Sequence, residues 1–255
     1  MLRRVMLIGL FLSLILTLAC QVTIPEVALL EVNDQAISGN SVNISRVDMD
    51  KPGWLVIHLM GSEGQPNTSV SLINAYLVAG KYKNINLPLA TNLIGELTVV
   101  ATLYYDEPAD KQFDPETGDP PVMVGGNQLV QAVTLTGAQV TPAVEVESQD
   151  VTDYVVTISR IIIDKPGWVV LHPATSEGQP NTAVDLSRGH ISIPGEYVDL
   201  QLPVIGTLTG ERTIFAMLHY DDPFDGEFTF DPGSNEDVPV TVNGEIVVQS
   251  FTARG

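Results

Sequence analysis

Hydrophobic and polar side chains alternate along much of the chain beyond residue 27, which is the pattern of β-strands that bury one face. In residues 54–59 ("WLVIHL") the alternation places Trp54 and His58 on one face and Leu55 and Ile57 on the other. The runs "LTVVATLYY" and "RTIFAMLHY" are almost continuously apolar, which predicts a central strand that is covered on both faces.

Two further segments, "YKNINLPL" and "YVDLQLPV", alternate cleanly enough to predict which side chains face the core. The predicted inward positions are Ile85, Leu87, Val198, Leu200 and Leu202. No segment keeps a 3.6-residue apolar stripe, so we expect no helix in the folded part of the chain.

The chain contains an internal repeat. "DKPGWLVIH" at residues 50–58 returns as "DKPGWVVLH" at 164–172, and "SEGQPNT" at 62–68 returns unchanged at 176–182. The register drifts by only a few residues between these points and the end of the chain, as expected of a duplicated domain that gained short insertions at turns. In "DKPG", Pro52 precedes Gly53 and Pro166 precedes Gly167, which predicts a type II turn with Gly at the positive-φ position.

These patterns predict an all-β protein of two tandem immunoglobulin-like or cupredoxin-like β-sandwiches of about seven strands each. We place the first sandwich at residues 28–137, a linker at 138–141 and the second sandwich at 142–255.

The first 19 residues read as a secretory signal peptide, with the basic start "MLRR" followed by an uncharged apolar run that ends at Cys20. "LTLAC" resembles a bacterial lipobox, which predicts lipidation at Cys20, residues 20–27 as an anchor or tether, and a mature protein held at the outer face of the membrane. The competing interpretation is an ordinary signal peptide with a chance cysteine. Since Cys20 is the one cysteine, the chain has no intramolecular disulfide and no cupredoxin-type copper centre.

The chain is strongly acidic, with 31 Asp and Glu residues against 12 Lys and Arg and a net charge of −19. Such a charge repels phosphate backbones, so nucleic acid is not expected as a partner. Two acidic segments, at residues 105–119 and 220–237, could offer oxygen ligands to calcium, although neither has the spacing of an EF-hand. The candidate ligands are Asp106, Asp110, Asp114, Asp221, Asp225 and Asp231. A solvated acidic loop at the end of the sandwich is the competing interpretation.

His172 and His219 end or nearly end two strands of the second copy, and Asp221 shares a face with His219 by alternation. Imidazoles are good ligands for zinc or copper, so His172 and His219 form a candidate transition-metal pair. The competing interpretation is that His58 and His172 make structural hydrogen bonds at strand ends. Catalytic motifs such as "GxSxG" and "HExxH" do not occur in the sequence.

The residues resemble an uncharacterised extracellular β-domain that is repeated in surface proteins of haloarchaea and in some bacterial lipoproteins. The resemblance spans the mature chain and is carried by Gln35, Gly53, His58, Gln149, Gly167, His172, His219, Asp221, Gly226 and Phe228. The first copy departs from that pattern at Tyr104 and Lys111. The resemblance implies a location and an architecture but no activity.

From the sequence we therefore expect an envelope-anchored, non-enzymatic binding, adhesion or structural module. Its expected partners are the membrane, through the N-terminal lipid, and an envelope protein or glycan, with no required cofactor. The alternative is a surface module that binds calcium through its acidic loops, and the third hypothesis is a hydrolytic enzyme.

Overall fold

A computed structural model describes residues 27–38, 40–61, 64–90, 92–206, 208–233 and 235–255. The predicted signal peptide and the predicted lipidation site, Cys20, lie outside these residues. The named elements of the described part of the chain are all strands. Within it, no helix has the length and apolar character needed to cross a membrane.

The strands fall into two sets of ten. In the first copy they are β1 Leu29–Val32, β2 Gln35–Ala36, β3 Ser41–Met49, β4 Gly53–Met60, β5 Pro66–Leu77, β6 Gly80–Pro88, β7 Glu96–Tyr105, β8 Met123–Val124, β9 Asn127–Gln128 and β10 Val130–Thr136. In the second copy they are β11 Ala143–Glu145, β12 Gln149–Asp150, β13 Val155–Ile163, β14 Gly167–Pro173, β15 Ser187–Ile191, β16 Gly195–Pro203, β17 Glu211–Tyr220, β18 Thr241–Val242, β19 Glu245–Ile246 and β20 Val248–Arg254.

Each copy is a sandwich of a three-stranded and a five-stranded sheet. The orders are β1-β3-β6 and β2-β10-β7-β4-β5 in the first copy, and β11-β13-β16 and β12-β20-β17-β14-β15 in the second. All strand pairs in these sheets are antiparallel except β2 with β10 and β12 with β20. This is the A-B-E and A′-G-F-C-C′ arrangement of an immunoglobulin-like sandwich. The prediction of two tandem all-β sandwiches is confirmed.

The core lies between the two sheets of each copy, and alternation along the strands decides which side chains enter it. Leu55, Ile57 and Leu59 of β4 are buried among the apolar side chains of the first copy. Val169 and Leu171 of β14 hold the corresponding places in the second copy. The opposite side chains of β4 and β14 therefore lie on the outer face of the five-stranded sheet. The predicted division of these side chains between two faces is confirmed, and the structure shows which face is outer.

The predicted inward position of Val198 is wrong. Leu202 is buried and Leu200 packs against the core, but Val198 is 66% exposed and Tyr197 packs inward in its place. The backbone of Asp199 is left-handed, with φ 52°, and this local change reverses the alternation between Leu200 and Val198. The pattern alone could not show that reversal.

The predicted type II turn at "DKPG" is also wrong, because neither Gly53 nor Gly167 has a positive φ. Each glycine is instead the first residue of a strand. A Cβ at Gly53 would lie 2.0 Å from the carbonyl oxygen of Tyr104, and one at Gly167 would lie 2.2 Å from that of His219. Close approach of the neighbouring strand, not turn geometry, therefore requires glycine here.

The two copies touch through their backbones. The N–H of Glu96 donates to the carbonyl of Asp164 at 2.6 Å, and the Lys165 ammonium lies 3.5 Å from the Glu96 carboxylate. Gly95, with φ 64°, lies so close that a Cβ there would be 1.9 Å from the Asp164 oxygen. Ile193 of the second copy packs against the core of the first. The copies are thus docked on each other rather than joined only through the connecting chain.

Candidate functional site

The outer face of each five-stranded sheet is covered by a long loop that follows the central strand. We call this segment the covering loop, residues 106–122 in the first copy and 221–233 with 235–240 in the second. At its end the Val122 N–H donates to the carbonyl of Leu103 at 2.9 Å, and the second copy repeats this bond. The loop explains why β7 and β17 are apolar on both faces. One face of each strand packs on the core of its sandwich, and the opposite face packs beneath the covering loop.

In the first copy the ring of one loop residue, Phe113, fills the space between the loop and the sheet. The Phe113 ring lies 5.1 Å from the Tyr104 ring, 5.7 Å from Trp54 and 6.3 Å from His58, measured between ring centroids. Trp54 also meets Tyr76 of β5 edge-on at 5.2 Å. The space is therefore filled by aromatic packing.

In the second copy two phenylalanines take the place of one. Phe228 and Phe230 lie 5.1 and 4.9 Å from the His219 ring. Trp168 meets Phe228 at 5.7 Å and stacks on His190 of β15 at 4.4 Å. Trp168 is only 8% exposed, so its ring is not open to stacking on a sugar.

One buried carboxylate near the end of each loop holds the loop together. Asp119 accepts the N–H of Glu107 at 3.0 Å and that of Asp114 at 2.8 Å. Asp237 of the second copy is fully buried and accepts the N–H groups of Asp222 and Thr229 at 3.1 and 2.5 Å. Burial raises the pKa of the Asp237 carboxyl, while the two amides act against that effect.

A second buried carboxylate holds the start of each loop. Asp106 accepts the N–H groups of Asp110 and Lys111 at 3.1 and 3.0 Å, and its other oxygen accepts the Tyr76 hydroxyl at 3.1 Å. Asp221 repeats this arrangement, with the Nε2 of His190 at 2.8 Å in place of the tyrosine.

The acidic residues predicted as calcium ligands are thus divided between buried and exposed positions. Asp106 and Asp221 are buried and accept backbone amides of their own loops. The other four are exposed, and three of them, Asp110, Asp114 and Asp225, also accept amides of their own loops. Across the residues that the structure describes, no three His, Cys, Asp or Glu side chains are grouped so that they could hold a metal ion. The six predicted ligands are therefore not gathered into one site.

The predicted pair His172 and His219 is brought together, because β14 and β17 are neighbouring strands. Both side chains are fully buried, and their ring centroids are 5.8 Å apart. In the first copy His58 and Tyr104 lie at the same separation, and the Tyr104 hydroxyl is 3.1 Å from the His58 Nε2. The predicted structural hydrogen bonds of His58 and His172 are confirmed, since the Nδ1 of His172 lies 3.1 Å from the Val184 carbonyl.

Two residues at the site were missed by sequence reasoning. His190, which aligns with Tyr76 in the repeat, binds Asp221 and stacks on Trp168. Asp185 lies 3.2 Å from the Nδ1 of His172. Aligning the repeat position by position would have indicated His190, because it matches Tyr76. Asp185 lies before β15, whereas the matching position of the first copy lies inside β5, so the sequence did not indicate its contact with His172.

A family model, described as a domain of unknown function (DUF7282), matches residues 28–136 and again residues 142–254. The chain belongs to this family. Both DUF7282 copies are complete sandwiches with a covering loop, so the repeat found in the sequence is a repeat of whole family domains.

No curated protein matches the chain. Among solved structures, the two DUF7282 copies together are similar to a tetra-tandem repeat in the extending region of a large adhesion protein, with 16% identity and a TM-score of 0.29 over 88% of this chain and 49% of that one. A chaperone–tip adhesin complex of CFA/I fimbriae gives 11% identity and 0.29 over 88% and 98% of the two chains, and a class 5 fimbriae chaperone gives 12% and 0.26 over 84% and 100%. TM-scores this low transfer neither fold nor function.

Proposed function

We propose that this protein is an exported, envelope-anchored, non-catalytic module whose two DUF7282 sandwiches form one stiff unit at the cell surface. The unit acts structurally, as a spacer, and offers its acidic loops to an envelope protein or a glycan.

The observation that carries this proposal is the docking of the two copies. A backbone hydrogen bond between Glu96 and Asp164 would break if the two sandwiches moved independently, and the backbone of Gly95 lies in close contact with Asp164 beside it. Tandem domains that are merely tethered are expected to move freely, whereas docked ones keep a fixed separation between their ends. A fixed separation is what a spacer needs.

The covering loops support the same interpretation. Each is held at both ends by a buried carboxylate and filled beneath by aromatic rings, so it presents a preformed surface. A preformed surface loses little conformational entropy when it binds. Its many exposed carboxylates favour a partner that is neutral or basic and disfavour nucleic acid.

Anchoring is inferred from the N-terminal sequence, where the apolar run ends at Cys20. The proposal predicts that the wild-type chain fractionates with membranes and is digested when protease is added to intact cells. C20S should fold identically but lack the lipid. Mass spectrometry of the N-terminus should show the lipid on wild-type Cys20 and none on C20S. A wild-type chain found in the cytosol and protected from external protease would contradict the proposal.

A further inference from the structure

The second copy contains two buried histidine nitrogens for which the described part of the chain offers no hydrogen-bond partner. These are the Nε2 atoms of His172 and His219, and both side chains are 0% exposed. A buried polar atom without a partner is costly, so such atoms usually indicate a ligand or a bound water.

The opposite nitrogen of each ring is already fixed as a donor. The Nδ1 of His219 lies 2.7 Å from the carbonyl oxygen of Asp237, and the Nδ1 of His172 lies 3.1 Å from that of Val184. A carbonyl only accepts, so each Nδ1 carries the hydrogen and each Nε2 presents a lone pair.

Two lone pairs cannot satisfy each other, so each Nε2 needs a partner that accepts its electron density, and the rings are near enough for one ion to serve both. The first copy meets this need internally, because the Tyr104 hydroxyl reaches the His58 Nε2 at 3.1 Å. Histidine in place of that tyrosine removes the hydroxyl while the rings stay 5.8 Å apart. The second copy thus lacks the hydrogen bond that pairs the histidine Nε2 in the first copy.

The surroundings favour a soft, singly charged metal ion. Phe228 and Phe230 pack on His219, and Met217 shares its strand face and is 1% exposed, where the first copy has Thr102. Zinc prefers four ligands in tetrahedral array, whereas Cu(I) accepts two imidazoles and tolerates thioether sulfur. A monovalent ion also loses less solvation energy on burial than a divalent one.

The outer contacts of His172 are those of a metal-bound imidazole. The Oδ1 atom of Asp185 lies 3.2 Å from its Nδ1, and a carboxylate behind a ligating histidine orients the ring and strengthens it as a donor. The same carboxylate offsets the positive charge of a bound ion.

We propose that His172 and His219 form a buried two-histidine site for Cu(I) beneath the covering loop of the second copy, lined by Met217. The first copy has no such site, because Tyr104 already occupies the lone pair of His58.

The test uses the full chain in mild detergent with C20S in every sample, so that its one thiol binds no copper. After anaerobic loading with Cu(I) and desalting against bicinchoninate, the chain should retain one equivalent. H219Y, which installs the residue of the first copy, and H172Q should retain none. D185N should bind about tenfold more weakly, and H58Q should still retain one equivalent.

Circular dichroism of H219Y and H172Q checks that each variant still folds. Three results would overturn the proposal. The first is no retained Cu(I) in the parent chain, as expected if one buried water bridges the rings. The second is preferential retention of Zn(II) when both metals are offered. The third is undiminished Cu(I) binding in folded H219Y or H172Q.

Discussion

The hydroxyl of Tyr104 lies 3.1 Å from the Nε2 of His58, and both side chains are buried beneath the covering loop of the first copy. At the same two positions of the second copy, His219 and His172 keep the ring separation but cannot make this bond. One difference between the two copies, Tyr104 against His219, therefore leaves buried Nε2 atoms unpaired in the second copy where the first has a hydrogen bond.

Removing the hydroxyl with Y104F should destabilise the first copy by about 1–3 kcal/mol, because the His58 nitrogen would stay buried without a partner. Urea unfolding curves give the value. Y82F is the matched control, since the Tyr82 hydroxyl donates to the Val78 carbonyl at an exposed site where water can replace it. An equal fall in the free energy of unfolding in the two variants would mean that the buried Tyr104–His58 bond stabilises the protein no more than an exposed one.

Stability of the metal-free chain should fall as the pH is lowered from about 6.5 towards 4 because of His219. Burial lowers its pKa to about 4, whereas an unfolded histidine titrates near 6.5. The unfolded chain then binds more protons across that interval, so acid favours unfolding, by about 2 kcal/mol at pH 5 for this residue.

Urea unfolding with a chelator present, at pH 7.5 and pH 5, checks this prediction. H219Y should lose about 2 kcal/mol less than wild type between the two pH values, since its tyrosine stays neutral throughout. His58 is present in both proteins and cancels in the comparison. An identical pH dependence for wild type and H219Y would show that His219 titrates normally in the fold.

The covering loop should open when its buried carboxylate is removed. In D119A the amides of Glu107 and Asp114 lose their acceptor, so their hydrogen exchange should accelerate. We expect a stability loss of about 1–3 kcal/mol. D110A, which removes an exposed acceptor of the Gln112 amide, should leave those two amides protected. Unchanged exchange in D119A would show that the carboxylate does not hold the loop.

Much of the fold could be predicted from alternation and from the repeat. Both patterns depend on local geometry, and Leu55 and Ile57 are buried in the core as the period of two requires. The pattern was wrong where a single backbone angle changed it, at Asp199, because nothing in a run of apolar residues shows a left-handed residue.

The candidate site was only partly predictable. The acidic segments read as a ligand surface, yet Asp106 and Asp119 point inward and accept amides. A loop that packs on a sheet must satisfy its own N–H groups. Phenylalanine inside an acidic loop, as at Phe113, was the available sign of such packing. The pairing of His172 with His219 needed the strand order, which is a long-range property.

The fixed arrangement of the two sandwiches is the central claim, and small-angle X-ray scattering of G95A and G210A tests it most directly. Both glycines have positive φ, 64° and 68°, so alanine strains both backbones alike. Only a Cβ at Gly95 meets the other copy, 1.9 Å from the Asp164 oxygen, whereas one at Gly210 has no described atom within 4 Å. We predict that G95A increases the maximum dimension of the particle while G210A matches wild type. Wild-type scattering from a folded G95A would contradict the claim.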